Sequence, residues 1–215
     1  MNSSDRIPAL PDSPVARRAV ELAVSAESEP VANHSIRSYL FATLLAEHEG
    51  LKPGVDFEAD LLFYACVLHD LGTSPSVPGK QRFEVEGADM AAEFLTEHGY
   101  GAHEIDPVWE AIALHTTPGI AERRGVLTNL TRRGVAVDFG VGAEFMTDAQ
   151  GEVVHQRYPR LNVVTVLVDE IVRHAARSPQ AAARYTPGGE LTRERKELGA
   201  PTSLELVATA SRWGA

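Results

Sequence analysis

The stretch from Asp56 to Gly72 reads DFEADLLFYACVLHDLG. Acidic residues stand in its first turn and a glycine closes it, the signals of a helix with a start and a stop. Residues 63–68, FYACVL, are apolar throughout. The helix is therefore expected to be buried when it reaches His69 and Asp70. Burying a carboxylate without a partner costs several kcal/mol. A divalent metal removes that cost, because neutral imidazole and carboxylate are both good ligands for it. Taken alone, the pair also fits a helix end, with both side chains capping near Gly72.

Outward from this stretch the chain reads as helices separated by short breaks. PVARRAVELAVSA, from Pro14, is an amphipathic helix with proline in its first turn. Pro30 opens a second helix, which carries His34 and closes at Gly50, with Ile36, Leu40, Thr43 and Leu44 at helical spacing. Residues 73–80, TSPSVPGK, form a loop. Phe83–His98, Val108–His115 and Gly125–Gly142 read as helices, with Pro107 as a break and Gly134 as a weak point. In the last of these, Asp138 sits between Val137 and Phe139, again a charge in an apolar setting. Leu161–Ala176 is rich in valine, but its length and apolar spacing favour helix. From Ser178 the chain turns polar, with TPGGELTRERKELGAP placed between two short helical pieces. No strand alternation is visible, so the expected class is all-α.

The 215 residues suit one domain with modest extensions. Residues 1–14 are expected to form an N-terminal arm, and 178–215 a C-terminal extension packed on or covering the domain. The net charge of −10 argues against nucleic acid, whose phosphates call for Lys and Arg. It leaves a small-molecule substrate open. The single cysteine, Cys66, excludes a disulfide framework and reads as a buried small hydrophobe. No apolar run is long enough for a membrane span or a signal peptide, so the expected location is cytoplasmic. A two-fold homodimer is the commonest assembly for a helical protein of this size.

The order His34, then His69-Asp70, then Asp138 resembles the H…HD…D signature of the HD superfamily of metal-dependent phosphohydrolases, an all-helical fold. The resemblance narrows with four blocks. NHSIRSY (33–39), LHDLG (68–72), RFEVEGA (82–88) and WEAIALHT (109–116) are similar to those of the cyanamide hydratase branch. Extended by the flanking helices, it covers residues 15–177 as an HD-domain helical bundle with a single buried metal site.

The resemblance implies four metal ligands: His34, His69, Asp70 and Asp138. It implies zinc, one per chain, with iron, manganese or another divalent metal as alternatives. HD proteins with two metals carry a further histidine where Phe83 stands here, and a second histidine where Thr116 follows His115. One metal is therefore expected, with His115 near it but outside its ligand set. The implied reaction is a lyase-type hydration, a metal-bound hydroxide adding to a small nitrile-like or C–N substrate, cyanamide giving urea. Asp70 and His115 are the candidate catalytic residues. His115 either donates a proton to the developing anion or orients a ligand. Arg37, Phe83 and Glu84 are candidates for substrate binding. Arg37 has an ordinary surface role as its alternative, and Glu84 a helix-end charge pair with Arg82. The alternative function is an HD phosphohydrolase acting on a nucleotide or small phosphomonoester. That reading needs cations in the cavity, from Lys80, Arg82 or the group Arg123, Arg124, Arg132 and Arg133.

Overall fold

A computed structural model describes residues 6–197, 199 and 201–214 of the chain. Residues 1–5 of the expected arm, and 198, 200 and 215 of the C-terminal extension, lie outside the described residues. Among the described residues there is no β-strand, only an isolated bridge between Pro53 and Phe57, and the fold is all-α. No helix among them is long and apolar enough to cross a membrane.

The helices are α1 (Pro14–Ala26), α2 (Glu29–His48), α3 (Ala59–Val67), α4 (Phe83–Glu97), α5 (Ala102–Leu114), α6 (Val126–Asp138), α7 (Asp148–Arg157), α8 (Val163–Ala175), α9 (Pro187–Glu197) and α10 (Ser203–Thr209). Local chemistry explains several starts. The Ala16 amide donates to Ser13 Oγ at 3.1 Å, and Pro14 needs no partner in the first turn. Thr147 and Thr202 begin α7 and α10 with capping boxes closed by Gln150 and Glu205.

Several boundaries differ from the sequence expectation: α7 has no counterpart in it, and α6 ends at Asp138 rather than Gly142. The helix expected to run to Gly72 stops at Val67; His69 and Asp70 occupy the following turn, before a single 3₁₀ turn at Leu71–Thr73. Helix α5 begins earlier than expected and runs through Pro107. The hydrogen bond Pro107 cannot make belongs to the carbonyl of exposed His103, at the open end of the helix. Leu161 falls outside α8, at φ 52° and half exposed. Within the polar stretch, Pro187–Glu197 is itself helical, as α9.

Two apolar clusters make up the core. The larger gathers α1, α2, α3, α5 and the inner faces of α4 and α6, with Phe41, Phe63, Leu62 and Ile112 fully buried. Cys66 belongs to it as a buried free thiol. The smaller joins Val31, Phe83, Val135 and Phe139 to the valine-rich face of α8 and to α9 and α10. Helices α2 and α6 touch at Gly134, where a Cβ would lie 2.5 Å from Ser38 O and 2.7 Å from the Ala42 Cβ. Gly134, a weak point for an isolated helix, thus lets the two helices that carry His34 and Asp138 approach closely.

Candidate metal centre

His34 projects from the middle of α2, while His69 and Asp70 sit in the turn after α3. All three are buried. Each histidine has one ring nitrogen fixed by a neighbouring oxygen. His34 Nδ1 donates to Asp138 Oδ2 at 2.6 Å, and His69 Nδ1 donates to Cys66 O at 2.7 Å. Those bonds place the lone pair of each ring on Nε2. His34 Nε2, His69 Nε2 and Asp70 Oδ2 make no hydrogen bond, although all three are buried. Their ligand atoms lie within 4.8 Å of one another. Asp70 Oδ2 is 3.2 Å from His69 Nε2 and 3.7 Å from His34 Nε2. Orphaned buried acceptors are costly, so three that converge require an explanation. Two imidazole nitrogens and one carboxylate oxygen fit a divalent metal of the borderline class.

The electrostatics agree. Burial pushes the His34 imidazole down, towards the neutral form a metal needs. Burial alone would raise the Asp70 carboxyl, but the adjacent His69, His34 and His115 rings outweigh it and hold Asp70 in its charged form. The His69 imidazole is raised: burial opposes its charge, yet Asp70 beside it prevails. A cation at this point therefore competes with a proton on His69.

Asp138 is placed differently from the other three expected ligands. It is the last residue of α6, just before the Gly140 turn (φ 82°). Arg37 Nε donates to its Oδ1 at 2.8 Å and Arg37 Nη2 to its Oδ2 at 2.6 Å. Arg160 donates to the same Oδ1 at 3.2 Å and to the Asp138 carbonyl. Burial would raise the carboxyl, but the Arg37 guanidinium overcomes it and holds Asp138 well below the usual carboxylate range. His155 Nε2 lies 3.9 Å from Asp138 Oδ1, and the Asp138 contact to His34 Nδ1 is that of a carboxylate orienting a histidine, a common arrangement behind a metal. The cluster of converging atoms is thus His34, His69 and Asp70.

Arg37, expected among the substrate-binding residues, is turned to Asp138. It is fully buried, its remaining donors go to the carbonyls of Tyr158 and Pro159, and it does not line the cavity. Glu84 is also engaged elsewhere: its Oε1 accepts from Arg82 at 2.8 Å and Thr116 at 2.6 Å. Phe83 does face the cavity, its ring edge-on to His115 with centroids 5.8 Å apart. No ligating atom stands at that position. His115 Nδ1 donates to Ile112 O at 2.6 Å, and its Nε2 lies 3.8 Å from Asp70 Oδ1. Burial, then the charge of His69, pushes the His115 imidazole down to about 4.

The cavity above the cluster has a volume of about 360 Å³. Its wall is mostly aliphatic and aromatic, drawn from α4, α6, α8, α9 and α10. Among the basic residues proposed for phosphate, only Arg132 lines it. Arg124 pairs with Glu110, Arg133 with Glu49, and Arg82 with Glu84.

Two supporting residues carried no signal strong enough to single them out in the sequence. Arg160 precedes α8 with nothing local to mark it as a partner of Asp138. Glu86, two residues after Glu84, clamps the loop before α4. Its carboxylate accepts from the amides of Gly79 (2.9 Å), Lys80 (2.6 Å) and Gln81 (3.1 Å), and from His174 Nε2 (2.9 Å).

Comparison with known proteins agrees with this geometry. The HD domain family profile matches residues 31–205. Two cyanamide hydratases of Saccharomyces cerevisiae, DDI2 and DDI3, are each 23% identical over 175 residues, covering 79% of this chain and 76% of theirs. Both findings point to a metal-dependent enzyme of the hydrolase or lyase type. A helical bundle whose buried His-His-Asp cluster lies where that profile matches belongs to the HD domain family.

Proposed function

We propose that the protein is a mononuclear zinc hydratase of the cyanamide hydratase type, adding water to a nitrile carbon. The observation that carries this reading is the convergence of three partnerless, buried ligand atoms, from His34, His69 and Asp70, at the floor of an apolar cavity. Zinc bound there supplies a nucleophile near neutral pH by acidifying water. Phe83, in place of a further ligand, supports one metal.

The protein's own residues supply the rest. Asp138, fixed by two arginines, holds the His34 ring so that Nε2 faces the floor. The Cys66 carbonyl does the same for His69. With Nδ1–H engaged by Ile112 O, neutral His115 offers a lone pair at Nε2 beside Asp70. His115 therefore first accepts a proton from the attacking water and then returns it to the nitrile nitrogen, where negative charge grows. This reverses the order expected of a histidine that begins as the donor. Hydration of H₂N–C≡N in this way yields urea and requires no redox cofactor.

The phosphohydrolase alternative rests on Arg132, a single cation facing the cavity. Phosphoryl transfer calls for several such charges. The test is urea formation from cyanamide beside phosphate release from nucleoside monophosphates, with zinc-loaded and chelator-treated protein. Zinc-dependent urea formation is expected. Phosphate release without urea would replace the hydratase reading with the phosphohydrolase one.

A further inference from the structure

Cyanamide has only three non-hydrogen atoms. At roughly 30 Å³ per water-sized group it fills about a quarter of this cavity, whose volume is about 360 Å³. The remaining space is bounded by Val135, Leu167, Ile171, Leu191 and Leu204, with Phe83 beside His115. These side chains belong to, or pack on, the smaller apolar cluster. A fully polar three-atom substrate would leave them facing confined water, which an apolar substituent displaces favourably.

The two acidic residues at the rim are already engaged with the protein, and Arg132 lies 3.9 Å from Glu122. Glu194 accepts from the Ser203 amide and hydroxyl at 2.8 Å each, tying α9 to α10. Glu190 accepts from the Tyr185 amide at 3.1 Å. With two carboxylates and one arginine lining this space, an anionic body is disfavoured.

We propose that the substrate is a lipophilic N-substituted cyanamide, its nitrile on the His34–His69–Asp70 floor and its alkyl or aryl body along the wall formed by α8, α9 and α10. The identity of the head group rests on the hydratase reading above; the apolar body rests on the wall. The reaction is R–NH–C≡N + H₂O → R–NH–CO–NH₂. Water oxygen bonds to the nitrile carbon, one C–N π bond breaks, and its electron pair goes to nitrogen. Nitrogen takes one water proton, and the second moves from oxygen to nitrogen as the urea forms. Nothing is oxidised or reduced.

The test is calorimetric titration of the zinc-loaded full chain with urea, butylurea, hexylurea and phenylurea, followed by turnover of cyanamide and hexylcyanamide. Affinity is expected to rise about fourfold per methylene until the wall is covered. Leu204→Trp, at the half-buried rim, should lower hexylurea affinity at least tenfold and far more than it lowers urea affinity. Leu167→Trp should do the same from the buried side, and the rim variant keeps the test valid if that protein does not fold. A series with no chain-length dependence overturns the proposal, even if cyanamide is hydrated. Chain-length-dependent binding without hydration of either cyanamide keeps the apolar body and rejects the hydratase chemistry instead.

Discussion

The floor of the cavity and its wall are built on opposite principles. At the floor, buried charges lie close together, held from behind by named partners, with three converging ligand atoms left without one. Asp138 alone engages Arg37, Arg160 and His34. The wall, by contrast, is hydrocarbon from α8, α9 and α10, whose packing has no direction. A directional floor fixes where a metal and a proton sit. A non-directional wall sets only size and polarity, and so it is the region free to change substrate without changing chemistry.

Breaking the floor is expected to have the largest effect. His69→Ala or Asp70→Ala should abolish activity and stoichiometric metal binding, measured by elemental analysis. Zinc at a hundredfold excess over its dissociation constant should stabilise the native chain by about 2.7 kcal/mol. Calorimetric scans with and without chelator should show that gap in the native chain and not in either variant. A variant that kept full metal content and turnover would reduce the pair to a helix end.

The support behind the floor comes next. Arg37→Ala leaves a buried Asp138 with part of its compensation gone and should cost about 3–5 kcal/mol in denaturant unfolding. A loss under about 1 kcal/mol would mean that Arg160 suffices alone. Gly134→Ala separates two opposing effects. Alanine is worth up to about 1 kcal/mol over glycine in a helix interior. Here its Cβ meets the backbone of α2 at 2.5 Å, and overpacking of this kind costs about 1–3 kcal/mol. A net loss is expected, with His34 and Asp138 forced apart and metal affinity reduced.

Glu86 gives a pH-dependent comparison away from the metal. Burial would raise its carboxyl, but the His174 hydrogen bond and the three loop amides lower it. A group with a depressed folded pKa contributes its stability above the ordinary carboxylate range and loses it as the pH falls through the folded value. Native stability should therefore drop more steeply on acidification below about pH 4 than that of Glu86→Gln, which starts about 1–3 kcal/mol lower at neutral pH. Parallel profiles would remove the loop clamp from the account.

The smallest effect is expected at the basic residues outside the cavity. Arg124→Ala and Arg133→Ala break half-exposed pairs with Glu110 and Glu49, worth about 0–1 kcal/mol each. Neither should alter turnover. A large loss of phosphate-releasing activity in either would restore those cations to the site.

Resemblance of the H…HD…D order supplied the link to His34 and Asp138, while the residues by themselves determined the helical class and the burial around His69-Asp70. Each is a local or periodic property: apolar runs, glycine stops, and charges set in apolar neighbourhoods. The break of α3 before His69 was not legible, because it depends on Gly72 lying against the backbone of α4. Nor was the fate of Arg37, whose spacing after His34 suits either the cavity or the protein interior. Packing of α6 on α2 turns it to Asp138. The wall depends most on tertiary structure. Leu191 and Leu204 lie in stretches of polar composition, and only the folding of α9 and α10 beside α8 brings them to the same cavity as residues far earlier in the chain. Local patterns report what a segment buries; which buried groups meet is settled by contacts between segments, and those have no period in the sequence to read.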